Sequence, residues 1–294
     1  MKLDEEKSVM EPWPVAVFAH NEERHIIKCL ESISLASVSH PIQAYVLVNG
    51  CRDRTLECVR AFAQAHSWVT LIDIKMGDKA NAWNVFMHQV NAKGEALFFV
   101  DGDVTVLPGA FDALHAALIS HGDANAAAAV PACGRNRSEQ CRYVTELRLI
   151  LGNLYAIKGE FASRIRSKQV KIPVGYIGDD VFVNDIAKWN LDPQGPFIND
   201  RVIPCLDAKF SFKSLSILSP FDAMFYFKRR IRYSIRHFQH ELLVPELRKG
   251  GIAGIPGSVN SLYIRKNIEL LKLRGGSDTL FDLIALRKIR STSS

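Results

Sequence analysis

Two pairs of carboxylates carry the chemical interest of this 294-residue chain. In "ALFFVDGDV" an apolar run ends in Asp101, Gly102 and Asp103. Two acids separated by one small residue at a strand exit can reach one site, and glycine lets the backbone come close to a ligand. Oxygen ligands of this kind suit Mn2+ or Mg2+, hard cations that keep waters and bind substrate phosphates. The plainer alternative is a polar turn whose Asp caps the next helix. In "GYIGDDVFVND", Asp179 and Asp180 stand between a glycine turn and an amphipathic helical run. A cap requires one carboxylate, and here there are two. The helix dipole favours their ionised form, as a general base requires. A third segment, "MGDKANAWN", places Lys79 and Asn84 at the start of a helix. A lysine there can meet a phosphate or a sugar hydroxyl, or simply face solvent.

These residues need elements to hold them. "VAVFA", "QAYVLVN", "VTLIDIK", "ALFFV" and "AAAAVPA" are near-continuous apolar runs, and most are separated by segments of helical periodicity. That alternation predicts an α/β fold with a mostly parallel sheet flanked by helices. Ligands in such sheets bind beyond the carboxyl ends of the strands. The segments to inspect are therefore "HNEER", "NGCRDRT", "MGDKANAWN", "DGD" and "GDD". From about Ser138 the pattern changes. "CRYVTELRLILGNLYAI" reads as a helix, "KIPVGYIG" as a strand, "DDVFVNDIAKW" as a helix and "RVIPCLDAKFSFKS" as one or two strands. Beyond Ser219 the chain is helical and basic, broken by two glycine clusters. Three regions are expected: a flexible N-terminus over 1–12, an α/β domain over 13–215, and a basic, mainly helical extension over 216–294.

With 48% hydrophobic and 23% charged residues, the composition is that of an ordinary globular protein. Six cysteines without CxxC or zinc-like spacing read as free thiols in a reducing compartment. No apolar core marks a signal peptide and no run reaches the ~18 residues of a membrane helix, so a soluble, cytoplasmic protein is expected. The net charge of +6 is uneven, with Lys228, Arg229, Arg230, Arg232 and Arg236 close together. Such a cluster attracts phosphate on a nucleotide, a lipid headgroup or a nucleic acid. The tail mixes apolar spacing with Arg and Lys. It suits a domain cover, a homodimer interface or peripheral contact with the inner membrane face.

In order, these segments resemble the inverting family 2 glycosyltransferases of GT-A fold. "VAVFAHNEERHIIKCLESI" is similar to the family's first strand and helix, and "YVLVNGCRDRT" to its nucleotide-binding turn. "GDKANAWN" resembles the GKxxAxN helix, "FFVDGD" the DxD strand, and "IGDD" the ED motif. The likeness covers about residues 13–215. It implies a nucleotide-diphosphate sugar as donor, a hydroxyl acceptor, and Mn2+ or Mg2+ as cofactor. Asp103 would bind the metal, with Asp101 on metal or ribose. Ala19, Asn21, Asn49 and Asp53 would line the nucleoside pocket, and Lys79 would approach the nucleobase or diphosphate. Asp180 would be the base, with Asp179 helping to hold the acceptor. The chain departs from the pattern at Val48 and Asn49, where acids are frequent. A UDP sugar is favoured, with GDP and dTDP sugars open. Asp179 also replaces the usual Glu, and the QxxRW signature of processive members is missing.

The implied reaction is a single inverting displacement. Among Arg229, Arg230, Arg232 and Arg236, with Arg229 and Arg232 favoured, one would steady the leaving diphosphate. His237 or His240, with His237 favoured, would complete the metal site. Two other readings compete. A sugar-phosphate nucleotidyltransferase usually carries a glycine-rich loop after its first strand, where this chain has "AHNEER". A non-catalytic module would engage a partner or nucleic acid through the basic helices, although no nucleic acid is expected.

Overall fold

The computed structural model describes residues 10–212 and 220–292. Its strands are β1 (Trp13–Ala19), β2 (Ile42–Asn49), β3 (Val69–Ile74), β4 (Ala96–Asp101), β5 (Val104–Val106), β6 (Ala126–Pro131), β7 (Leu154–Lys158) and β8 (Val202–Phe212). They form one sheet in the order β3-β2-β1-β4-β7-β6-β8-β5. The β3-β2-β1-β4 half is parallel throughout, as the long helical crossovers require. Beyond it β7 runs against both neighbours, β6 and β8 are parallel, and β5 closes the edge antiparallel to β8.

The helices are α1 (Ile26–Ser34), α2 (Thr55–Ala65), α3 (Lys79–Val85), α4 (Ala110–Ser120), α5 (Arg137–Thr145), α6 (Gly159–Ser167), α7 (Asp179–Lys188), α8 (Pro220–Gly250), α9 (Arg265–Ile268) and α10 (Thr279–Thr292). The helix expected to start at Lys79 is α3, continued by a π-helical turn, Phe86–Val90. Two expectations fail. The helix expected through Ile157 stops at Thr145, and Leu154–Lys158 is a central strand. Arg148 adopts φ +52 and breaks the helical run, and pairing with β4 and β6 then decides the short apolar stretch "LYAIK". The strand expected at "KIPVGYIG" is a loop, joined to the C-terminal extension by an isolated bridge between Val174 and Ser258. Gly175 and Gly178 hold φ of +84 and +113, which no regular strand accommodates.

Apolar side chains fill both faces of the sheet. On one face Phe99 stacks on Tyr155 with ring centres 4.7 Å apart and meets Phe86 edge-on at 5.5 Å. Phe238, Leu242, Leu243 and Leu247 of α8, with Ala285 and Leu286 of α10, belong to this same cluster. The C-terminal helices are thus packed on the α/β core. They are also locked to each other: Arg274 donates to Asp282 Oδ1 at 2.6 Å and to Ser234 Oγ at 2.7 Å, and Asp282 is fully buried. The first nine residues and 213–219 lie outside the described residues, so most of the expected 1–12 tail and the start of the extension are not placed. All six cysteines are free.

Replacing Phe99 by Ala should cost about 3–5 kcal/mol in chemical denaturation, because it opens a cavity among rings that cannot all collapse. Asp282 yields a pH test. Burial alone would raise its pKa, but hydrogen bonds from Arg274 outweigh that and lower it. A lowered acid contributes stability above its unfolded value of 3.8 and loses it as pH falls through the folded value. Asp282→Asn should therefore destabilise by about 1–3 kcal/mol at pH 7. Its difference from wild type should shrink as the pH drops below about 3.8.

Candidate active site

At the carboxyl edge of the parallel strands, β4 delivers Asp101 and Asp103, while the first turn of α7 delivers Asp179 and Asp180. Lys79, the first residue of α3, joins the two groups. Its Nζ lies 2.6 Å from Asp101 Oδ1 and 3.0 Å from Asp179 Oδ2. Although close to Lys79, that Asp179 oxygen has no aligned hydrogen bond. Gly152 lines the same pocket. A Cβ there would lie 3.3 Å from Asp180 Cβ and 3.4 Å from Lys79 Nζ. From α8, Arg236 Nη1 approaches Asp180 Oδ1 to 3.7 Å.

The electrostatics follow from this crowding. Burial, with repulsion from Asp103 and Asp179, outweighs the pull of Lys79 and pushes Asp101 up to about 7. Burial and the neighbouring Asp179 likewise raise Asp180, against the opposing pull of Arg236 and Lys79. Burial works against the charge on Lys79, but Asp101 and Asp179 more than compensate and hold it protonated. Asp101, Asp179 and Asp180 thus crowd round Lys79 and Arg236, and the charge of exposed Asp103 reaches Asp101, a surplus of acids that a divalent ion would relieve. Among the described residues no three His, Cys, Asp or Glu side chains are grouped to ligate a metal by themselves. Two carboxylates completed by substrate phosphates is the donor set Mg2+ or Mn2+ uses, so the residues fit such an ion.

Residues 170–178, just ahead of the α7 acids, are clamped from three sides. Asn84 accepts from Ile172 N at 2.9 Å and donates to Ile172 O at 2.8 Å. Asp78 caps α3 through Asn81 N and accepts from Gly175 N with its other oxygen at 2.5 Å. Gln239 of α8, only 2% exposed, accepts from Ile177 N at 2.7 Å and donates to Gly175 O and Tyr263 OH. A Cβ on Gly178 would come within 2.6 Å of Arg236 Cδ, so this turn and that arginine fit only with glycine.

A second pocket wall forms where β1 and β2 end. Asn49 is buried and donates to Ala19 O at 3.0 Å, joining the two strand exits. Asn21 takes φ +58 and accepts from Arg52 N at 2.8 Å. Asp53 accepts from Glu23 N and from Thr55 N and Oγ1. Burial would raise Asp53, but these bonds prevail and hold it below its usual value. Both its oxygens are engaged by the chain, so it braces the two loops side by side. Glu22 senses the charges of both Asp103 and Asp53, which puts this wall beside the acid cluster.

The sequence-based site residues therefore divide. Ala19, Asn21, Asn49 and Asp53 meet at one wall, Lys79, Asp101, Asp179 and Asp180 form a cluster, and Asp103 is exposed two residues beyond Asp101. The basic helix contributes differently from expectation. Arg229 is exposed and donates to Tyr233 OH, Arg232 is exposed, and His237 pairs with Glu241 at 3.4 Å. His240 lies 3.3 Å from Tyr176 OH and 3.7 Å from Asp185 Oδ2. Arg236 is the helix's cation at the acids. Position along α8 explains this: Arg232 and Arg229 lie one and two turns before Arg236 on the same stripe, and only the turn that carries Arg236 and Gln239 is level with the start of α7. Gln239 carried no signal in sequence, because an isolated glutamine on a basic helix has no motif. A separate cavity of about 450 Å3, lined by Lys158, Arg164, Asn190 and Arg201 among others, contains none of the acids.

Residues 15–176 match the family model described as glycosyl transferase family 2. The chain belongs to this family. This glycosyltransferase shares its fold with three enzymes of solved structure. A mannosyltransferase from Pyrobaculum calidifontis, in complex with GDP-Man and Mn2+, is 20% identical with a TM-score of 0.59, covering 98% of this chain and 77% of its own. Glucosyl-3-phosphoglycerate synthase from Mycobacterium tuberculosis, with Mn2+, UDP-Glc and phosphoglyceric acid, is 17% identical with a TM-score of 0.52, covering 83% and 80%. TarS 1–349 from S. aureus, with UDP-GlcNAc, is 12% identical with a TM-score of 0.50, covering 96% and 91%. No curated protein matches the glycosyltransferase by sequence.

Gln239 gives the sharpest test of the clamp. Gln239→Leu keeps the bulk but removes the bonds to residues 175 and 177. Turnover should fall roughly 10- to 100-fold through misplacement of the α7 acids, with little change in donor KM. A matching rise in KM with unchanged kcat would instead mean that the loop only binds donor.

Proposed function

We propose that this glycosyltransferase moves a sugar from a nucleoside-diphosphate sugar to an acceptor hydroxyl, with inversion and with help from Mn2+ or Mg2+. The supporting observation is the clustering of Asp101, Asp179 and Asp180 round Lys79 at the sheet's carboxyl edge, with Asp103 two residues beyond Asp101. Residues 13–215 supply this machinery, and the C-terminal extension adds Arg236 and Gln239. A uridine nucleotide is the first expectation, since two of the three similar structures hold UDP sugars.

Asp180 is the general base. Its raised pKa brings it closer to working pH than an exposed Asp, which makes it a better proton acceptor. Arg236 opposes that rise. Asp179 fixes Lys79 and faces the acceptor. Lys79, held protonated, places a fixed positive charge beside Asp101, where negative charge develops as the diphosphate leaves. Asp103 and Asp101 would hold the divalent ion, which would neutralise the diphosphate when bound. Ala19, Asn21, Asn49 and Asp53 shape the nucleoside wall, the last two by bracing its loops.

Asp180→Asn should lower transfer by roughly 10²–10⁴-fold and leave donor binding near wild type. Transfer at the wild-type rate would remove Asp180 from the base role. In titration calorimetry Asp103→Ala should weaken nucleoside-diphosphate binding in the presence of Mn2+ and leave metal-free binding unchanged. An equal effect with and without Mn2+ would contradict the metal assignment.

A further inference from the structure

The basic character of this chain is confined to its end. Residues 216–294 hold fourteen Lys and Arg against six Asp and Glu, a net +8, whereas the remainder carries −2. Two of those acids are consumed internally, Asp278 by Arg230 and Asp282 by Arg274. Among the described residues, Lys228, Arg232, Arg287, Lys288 and Arg290 are exposed and enter no ion pair.

Exposed apolar side chains occur on the same two helices. Leu280 and Leu283 of α10 are 57% and 52% exposed, and Met224 and Tyr226 of α8 are 58% and 53%. The helices meet along another side of α10, where Phe227 packs against Phe281 at 5.4 Å and Arg230 lies over the Phe281 ring. Along α10, Leu280, Leu283, Arg287 and Arg290 recur at spacings of 3, 4 and 3, one exposed stripe beside the buried Asp282, Ala285, Leu286 and Ile289. Apolar side chains thus lie next to unpaired cations. That is the pattern of a helix lying in a membrane interface, with leucines among the acyl chains and cations at the headgroups. No described helix is long and apolar enough to cross a membrane.

We propose that this exposed face of α10 docks on the surface of an anionic lipid bilayer. Charge complementarity selects the partner: unpaired cations attract acidic headgroups, and the leucine stripe gains only where it can leave water. A nucleic acid would satisfy the cations and leave Leu280 and Leu283 in solvent.

The test is vesicle flotation of the full chain, with vesicles of phosphatidylcholine alone or with 30% phosphatidylglycerol. The protein should float with the anionic vesicles, and raising the salt should release most of it. Leu280→Ser with Leu283→Ser, and separately Arg287→Glu with Arg290→Glu, should each weaken binding about tenfold or more. Both variants should keep the wild-type melting temperature and Mn2+-dependent donor hydrolysis. Donor hydrolysis reads the transferase function and flotation reads docking, so either can fail alone. Three results would overturn the proposal: no flotation with anionic vesicles, equal binding to both vesicle types, or a wild-type dimer that the leucine variant dissociates while neither binds lipid.

Discussion

The lysine bridge from Lys79 to Asp101 and Asp179 is the contact on which the site depends. It joins the end of a sheet strand to the start of α7, two places far apart in the chain. Asp101, Asp179 and Asp180, packed this closely, would repel one another and drift apart, or take up more protons, without a fixed cation between them. The lysine lets the fold hold a surplus of negative charge in place before any substrate arrives. A site of that kind favours a divalent cation carrying a diphosphate, and it disfavours an anion arriving alone.

Around that bridge the architecture works as a set of braces. The parallel half of the sheet brings the exits of β1, β2 and β4 to one edge, and Asn49 and Asp53 fasten the first two exits together. The loop ahead of α7 has little structure of its own and carries two glycines at positive φ. Asn84, Asp78 and Gln239 hold it from α3 and α8. The C-terminal extension is therefore part of the active site's support as well as a cover for the sheet.

Much of this was legible in the sequence, for identifiable reasons. Strands β1 to β4 are continuous apolar runs with helical periods between them, and each acid pair directly follows a strand or a glycine turn. The short stretch at 154–158 was not legible, because five apolar-rich residues fit helix and strand equally until partners on both sides decide. Nor was the loop at 171–178, where Pro173 and two glycines override apolar content. In the basic helix, composition shows that cations are present, but only the position of α8 against α7 shows that Arg236 is the one at the acids. Arg229 and Arg232 share the stripe of Arg236 but fall two turns and one turn before it, and His237 pairs with Glu241. Gln239 shows the limit of motif reading: its role lies entirely in three hydrogen bonds that span 24 to 64 residues of chain.

The claim that acids from separate elements cooperate around one cation and one diphosphate can be read directly by magnetic resonance on Mn2+. With enzyme and a nucleoside diphosphate, electron–nuclear double resonance should show 31P coupling from phosphate directly bound to manganese. Manganese should bind far more weakly when the nucleotide is left out. Equal manganese binding with and without nucleotide, and no phosphorus coupling, would contradict the account.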